Sequence, residues 1–535
     1  MKTFDYSSIL TWLAALPILG SAVVALLPPT RVRLIRNTAI ATLAGMVFLA
    51  AVTVRLFNWT HTAASHFQLM QIGPWIPPLH ATYFVGVDAL SMYMTLFISA
   101  LGLLAALASY GVVQQLRAYY IFIMLLTGFF AGALIAENIF LFALFFILSI
   151  FPMYFLTGLW GGERRQPAAM KFGLFALISS GLFFVAIFLA PHLSTAAYQA
   201  VDAWHPGLSA WVKTHDLAMV AAGHQASALW FFWLLAIALG LRIGVTGLHI
   251  WSPDYCCETR GAAAILVIGG NFLLTAYAIE RIGGPLLHLQ SAHLQIVVGW
   301  VLAGGILYTA LAALAQNDLG RLISCWMSLQ AGLISLGMLA FTAGSIQGAM
   351  LETIGAVICL AALLWMCHIL ELRAHHRDLS RLGGISQLMP ELFGLSLPGF
   401  IAAMAVPGFC LFAGEFLVVR SLFGLHPGSA SLGSASPGSV PLGGASSGSH
   451  WQAVPGILVI LGLFLMIATL LWTIERVFFG NPRPEYSHFP RLTRMERLVL
   501  VPLVAFNLAL GLCPMILIID PLSPAIQSIL HFGGN

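Results

Sequence analysis

The sequence predicts an all-α polytopic membrane protein with about fourteen transmembrane helices, arranged as two inverted five-helix repeats that each contain one broken helix. Three observations predict it. The chain of 535 residues is 60% hydrophobic and only 8% charged, with a mean hydropathy of +0.93, which excludes an ordinary soluble enzyme. Apolar windows of about 18 to 25 residues, enough to cross a bilayer as helix, recur along its length. Two of those windows join an ionisable residue to a Gly or Pro interruption, the pattern of discontinuous helices lining a path at mid-membrane.

The windows fall at 9–27, 38–57, 89–109, 118–135, 139–160, 172–190, 228–254, 261–282, 294–315, 322–342, 345–370, 392–422, 454–473 and 498–519. The first starts behind MKTFDYSS with one lysine and no small-residue cleavage site, and is expected to be a retained helix. Residues 58–88, with GPWIPP, suggest an ordered outer loop or hairpin, and a short surface helix is expected at 209–220. Residues 427–450, an uncharged Gly/Ser/Pro tract, lack the apolar content for a core and are expected to be a flexible linker.

Charge placement orients the bundle. Most of the 23 lysines and arginines fall in alternate loops, around Arg31–Arg36, Arg117, Arg164–Lys171, Arg260, Arg321, Arg373–Arg381 and Arg476–Arg497. The positive-inside rule assigns those loops to the cytoplasm and both termini to the outer side. The net charge of +4 is too small to suggest nucleic acid. Seven scattered cysteines form no disulfide framework, and the Cys256–Cys257 pair, although near Asp254 and Glu258, has no metal-ligand spacing.

The window 228–254 organises the rest. Arg242 lies in its middle, and a cation there costs about 3 kcal/mol or more unless a protein-lined path or a partner receives it. Gly240, Gly244 and Gly247 surround it, so the helix is expected to break. His249 follows seven residues later, about two turns on, and shares a face with Arg242 for as long as the helix holds. Five windows later, AMAVPGFCLFAGEFLVV repeats the pattern, with Pro407-Gly408 as the break and Glu415 just beyond it. An odd offset inverts topology. The expected divisions are 1–117, a three-helix region with the outer loop; 118–283, the first repeat; 284–479, the second; and 480–535, a last helix and tail.

The run NIFLFALFFILSIFPMYFLTGLWGGERRQPAAMKFGLFAL (138–177), with GVDALSMYM, HIWSPD, ALAQNDLGRLISCWMSLQAGLISLG, HHRDLSRLGGI and VPGFCLFAGEFL, resembles the antiporter-like, proton-translocating membrane subunits of bacterial complex I, a NADH-quinone oxidoreductase, and within them the M type. PMYFLTGLWGGERR and GEF discriminate, since the sister types and the Mrp antiporters carry a lysine motif where Glu415 stands. The resemblance implies a fourteen-helix antiporter-like fold of two half-channels joined by a polar axis. It implies neighbouring membrane-arm subunits as partners and protons as the cargo. No cofactor is expected on this chain, and flavin, iron–sulfur clusters and quinone belong to partner subunits; no Gly-rich nucleotide loop or cluster-ligand cysteine pattern is present.

Departures from the family pattern matter as much. The family's glutamate in the fifth span falls on Ile147, its lysine in the seventh on Arg242, its lysine in the eighth near Leu273 with Asn271 the nearest polar side chain, and its histidines in the tenth and eleventh on Gln330 and Ala356. Glu352, one turn before Ala356, adds a carboxylate on the same face. His249, Asp318 and Glu415 match. The candidate proton path is therefore Glu415, Arg242, His249, Glu352, Gln330 and Asn271, with no catalytic, cofactor or metal site. Asp254 and Glu258 are expected at a channel mouth or as caps. Lysine can release a proton when buried, whereas arginine keeps its charge, so the first half-channel is expected to conduct poorly or not at all. Two other classes fit the fold: a related energy-converting hydrogenase or cation-antiporter assembly, and a non-pumping structural paralogue.

Overall fold

The computed structural model describes residues 8–59, 67–76, 81–193, 225–284, 292–423, 453–482 and 489–514. The expected surface helix at 209–220 and the linker at 427–450 lie outside them.

Helices α1 (Ile9–Leu26) and α2 (Val32–Leu56) precede an antiparallel hairpin of β1 (Gln68–Ile76) and β2 (Ala81–Val87). There follow α3 (Ala89–Ala108), α4 (Leu116–Ile135), α5 (Ile139–Leu148) with α6 (Ile150–Trp160), and α7 (Arg165–Leu193). Next come α8 (Gln225–Ile243), α9 (Ser252–Glu258) and α10 (Gly261–Gly283), the last with π-helical turns at Ile265–Gly269 and Ile279–Gly283. The second half holds α11 (Ala292–Leu314), α12 (Leu319–Ala340), α13 (Ala343–Ala374), α14 (Pro390–Ala403), α15 (Cys410–Leu422), α16 (Ala453–Phe478) and α17 (Arg494–Leu512).

Among the described residues, twelve helices are long and apolar enough to cross a membrane without interruption. The windows at 228–254 and 392–422 are each cut in two, α8 from α9 and α14 from α15. Layering follows sequence chemistry. α10, α12 and α13, rich in Gly, Ala and Ser, are almost wholly buried, as helices with small side chains can be when surrounded by protein. α2, α11 and α16 turn Phe48, Val301 and Phe464 outward, which suits acyl chains as solvent. At the centre α13 and α15 pack backbone to backbone. A Cβ on Gly414 would lie 2.6 Å from the Glu352 nitrogen, one on Gly348 2.9 Å from the Val418 nitrogen, and one on Gly355 3.1 Å from Leu411 Cα.

Helix starts are closed by side chains, since the first amides of a helix have no partner within it. Reciprocal caps pair Asp88 with Ser91 on α3, Thr342 with Ser345 on α13 and Thr493 with Glu496 on α17. Asp318 accepts from the amides of Gly320 and Arg321 at 2.8 and 3.2 Å to open α12. Asp88 has a second partner: Arg281 Nη1 donates to its Oδ2 at 2.7 Å, and both side chains are buried.

Asp88→Ala strips α3 of its cap and takes from buried Arg281 the carboxylate it is hydrogen-bonded to. Removing one member of such a pair costs about 3–5 kcal/mol, so thermal unfolding in detergent is expected to show a large downward shift; an unchanged midpoint would contradict the pairing.

Candidate functional site

Two interrupted helices frame the site. α8 ends at Ile243, and the chain turns through Gly244 (φ +81°) and Gly247 (φ +88°), a backbone region that side-chain-bearing residues rarely enter. Amides of Gly244 and Val245 both bond back to the Gly240 carbonyl. The second break passes Ala405 (φ +51°) and Gly408 (φ +99°) between α14 and α15. Breaking a helix in hydrocarbon frees carbonyls that need donors. An indole supplies one at each place: Trp251 Nε1 donates to the Leu241 carbonyl at 2.7 Å, and Trp326 Nε1 to that of Ala403 at 3.0 Å. Asn507 Oδ1 closes the other side of the second break by accepting from the Cys410 amide at 3.2 Å.

Arg242 faces the protein interior, 1% exposed. Its Nε donates to Asn271 Oδ1 at 2.6 Å, its Nη2 to Ser149 Oγ at 2.7 Å and to the Phe146 carbonyl at 3.4 Å, and its guanidinium carbon lies 4.6 Å from the centre of the Phe146 ring. Asn271 returns a bond from Nδ2 to the Arg242 carbonyl at 3.1 Å. Among the described residues no carboxylate pairs with this cation, and Nη1 has no hydrogen-bond partner. The charge rests on amide, hydroxyl, carbonyl and ring-face dipoles alone. The two-turn register linking Arg242 to His249 ends with α8. His249 stands in the turn, half-buried beside the Tyr308 ring at 6.3 Å, its Nδ1 accepting from the Gly247 amide at 3.2 Å.

α12 runs between the two breaks and carries a row of polar side chains. Ser324 Oγ lies 2.8 Å from Ser252 Oγ of α9, and Ser328, buried one turn on, has no hydrogen-bond partner among the described residues. Gln330 Nε2 donates to Glu415 Oε1 at 3.2 Å. Glu352 on α13 is fully buried, within electrostatic reach of Glu415, and neither of its oxygens has a hydrogen-bond partner. The structure therefore brings Gln330, Glu415 and Glu352 together, and separately Arg242 with Asn271. Leu273 and Ala356, where the family pattern calls for bases, are buried in apolar packing, and Ile147 is partly so.

Below α9 opens a charged vestibule of about 490 Å³, lined by Glu163, Lys171, Asp254, Glu258, Asp318 and Arg377 among others. Its charges are internally matched: Lys171 meets Asp254 at 2.7 Å, and the Arg164 amide donates to Glu258 Oε2 at 2.9 Å. Asp254 and Glu258 both line this vestibule. Residue patterns alone did not reveal the indole closures, the Ser252–Ser324 contact or the buried Glu280; Glu280 was visible only as an acid inside an otherwise apolar window.

A family model described as NADH:quinone oxidoreductase/Mrp antiporter, transmembrane, matches residues 136–435. NAD(P)H-quinone oxidoreductase chain 4 3 of Picosynechococcus sp. is 28% identical over 77% of this chain and 72% of its own length. NADH-quinone oxidoreductase subunit M of Rickettsia typhi is 25% identical over 84% of each. In three dimensions the chain is similar to one in the respiratory complex I of Thermus thermophilus, with a TM-score of 0.79 at 21% identity, covering 98% of this chain and all of that one.

Asn271→Leu takes the acceptor from the Nε of a buried cation. Hydrogen bonds to charged groups contribute about 1.5–3 kcal/mol, so a thermal-stability loss of that size is expected in detergent. A neutral or stabilising outcome would show that Arg242 does not depend on Asn271.

Proposed function

The chain belongs to the NADH:quinone oxidoreductase/Mrp antiporter family of membrane proteins, and from that premise we propose that it is a membrane-arm subunit of a complex I-like NADH-quinone oxidoreductase that couples electron transfer to proton translocation, with its first half-channel impaired. The observation that carries the reading is the Gln330–Glu415–Glu352 group, buried beside a helix break. Ionisable groups inside a membrane bundle are costly and mark ion paths, and two carboxylates in electrostatic reach of each other readily share one proton.

The first half-channel, around Arg242, offers no such exchange. Arg242 is held by neutral partners, and a guanidinium keeps its proton. Asn271 cannot titrate, and Leu273 and Ile147 occupy the places where a lysine and a glutamate would relay. Arg242 then acts as a fixed positive charge. The charged vestibule forms the cytoplasmic mouth, with both termini outside, as charge placement indicates. Electron transfer takes place in partner subunits that carry flavin, iron–sulfur clusters and quinone, and this chain has no catalytic site of its own. Asn271 and Arg242 packed against apolar neighbours also suit a structural spacer, but the Glu415 group distinguishes the chain from one.

Protons moved per electron, counted in proteoliposomes with the intact complex, test this. Glu415→Gln is expected to remove this chain's share, and Arg242→Gln to leave it unchanged. Undiminished pumping by the Glu415 variant would sink the relay role, and a loss in the Arg242 variant would sink the claim of an idle first half.

A further inference from the structure

Glu280 stands in the π-helical turn that ends α10, fully buried, with Oε2 lacking any hydrogen-bond partner among the described residues. Its Oε1 lies 2.5 Å from the Thr353 hydroxyl oxygen, which is also 3.0 Å from the Ala349 carbonyl oxygen. A threonine hydroxyl has one proton, so it cannot donate to both. Both contacts are hydrogen bonds at once only when Glu280 bears a proton and donates it to Thr353 Oγ1, while Thr353 donates to Ala349. When the proton leaves, the Thr353 hydroxyl can turn to donate to Glu280 Oε1. The site therefore accommodates both protonation states through one hydroxyl rotation.

Its place in the fold connects two other charged groups. Next to Glu280 in sequence, Arg281 pairs with Asp88, and Tyr277, one turn earlier, is in electrostatic reach of Arg281, Glu137, Asp88 and Glu280. On the other side, Thr353 is the chain neighbour of Glu352, whose two unpartnered oxygens face α15 at Gly414, beside Glu415.

We propose that Glu280 is a further proton-binding residue of the translocation path, exchanging one proton with the Glu352–Glu415 pair and linking that pair to the Asp88–Arg281 end of the bundle. This rests on the reading of Glu415 as the path's acid. Glu280 loses a proton and the pair gains it; no electron or other group moves. In this arrangement carboxylates replace the bases that Leu273 and Ala356 cannot supply.

The test uses the intact complex in proteoliposomes, with infrared difference spectra in H2O and D2O alongside proton counting, for wild type, Glu280→Gln, Thr353→Val and Glu415→Gln. Glu280→Gln is expected to abolish one D2O-sensitive carboxylic-acid carbonyl band and this chain's share of pumping, and Thr353→Val to keep that band but displace it. A buried acid serving only to lock α10 against α13 would not exchange its proton during turnover, so a Glu280 band static through turnover overturns the proposal, as does full pumping by Glu280→Gln. Loss of pumping with Glu415→Gln but not Glu280→Gln removes Glu280 and leaves the broader reading intact; the reverse removes Glu415. Should Glu280→Gln fail to assemble, the near-isosteric Thr353→Val decides, and an undisplaced band with unchanged stoichiometry refutes the link.

Discussion

A backbone that stops being helical inside hydrocarbon must find new partners for the amides and carbonyls it exposes, and this chain does so twice. Each interruption is closed by an indole N–H on a carbonyl, from Trp251 and Trp326. Those closures fix where α8 and α14 end, and hence where Arg242 and Glu415 stand. A carbonyl left open there would cost several kcal/mol, so the local geometry of both charges is set by satisfaction of the backbone before any charge interaction is considered.

The two kinds of site then solve the burial of charge in opposite ways. Arg242 is surrounded by fixed dipoles that solvate it permanently. Glu352, Glu415 and Glu280 are under-solvated, with several oxygens unmatched, and under-solvated carboxyls are the ones for which a proton is the cheapest partner. α12 carries Ser324, Ser328 and Gln330 on the stretch between the two breaks, but hydroxyl and amide groups add no second exchangeable base.

Much of this was legible in the chain. Window length found the helices long and apolar enough to cross a membrane, though not the short helix Ile385–Leu388, and the Gly and Pro signals at 244, 247, 407 and 408 located both breaks, because those residues act through local backbone geometry. The hairpin at 68–87 was signalled by its flanking turn residues. Arg242 with Asn271, and Gln330 with Glu415, were named separately, yet their pairing was not apparent, since it depends on how α8 meets α10 and how α12 meets α15. Glu280 escaped for the same reason: its meaning comes from Thr353, 73 residues away. Arg242 and His249 share no helical face, because helical periodicity stops where the helix does, at Ile243.

The tight seam between α13 and α15 has a mechanical consequence. With Gly348, Gly355 and Gly414 bringing the two main chains nearly into touch, neither rod has clearance to slide, roll or ratchet past the other. Strain reaching this core is therefore transmitted through it as through a stiff strut. Reorientation of hydroxyls and carboxyls is the motion left free at its centre.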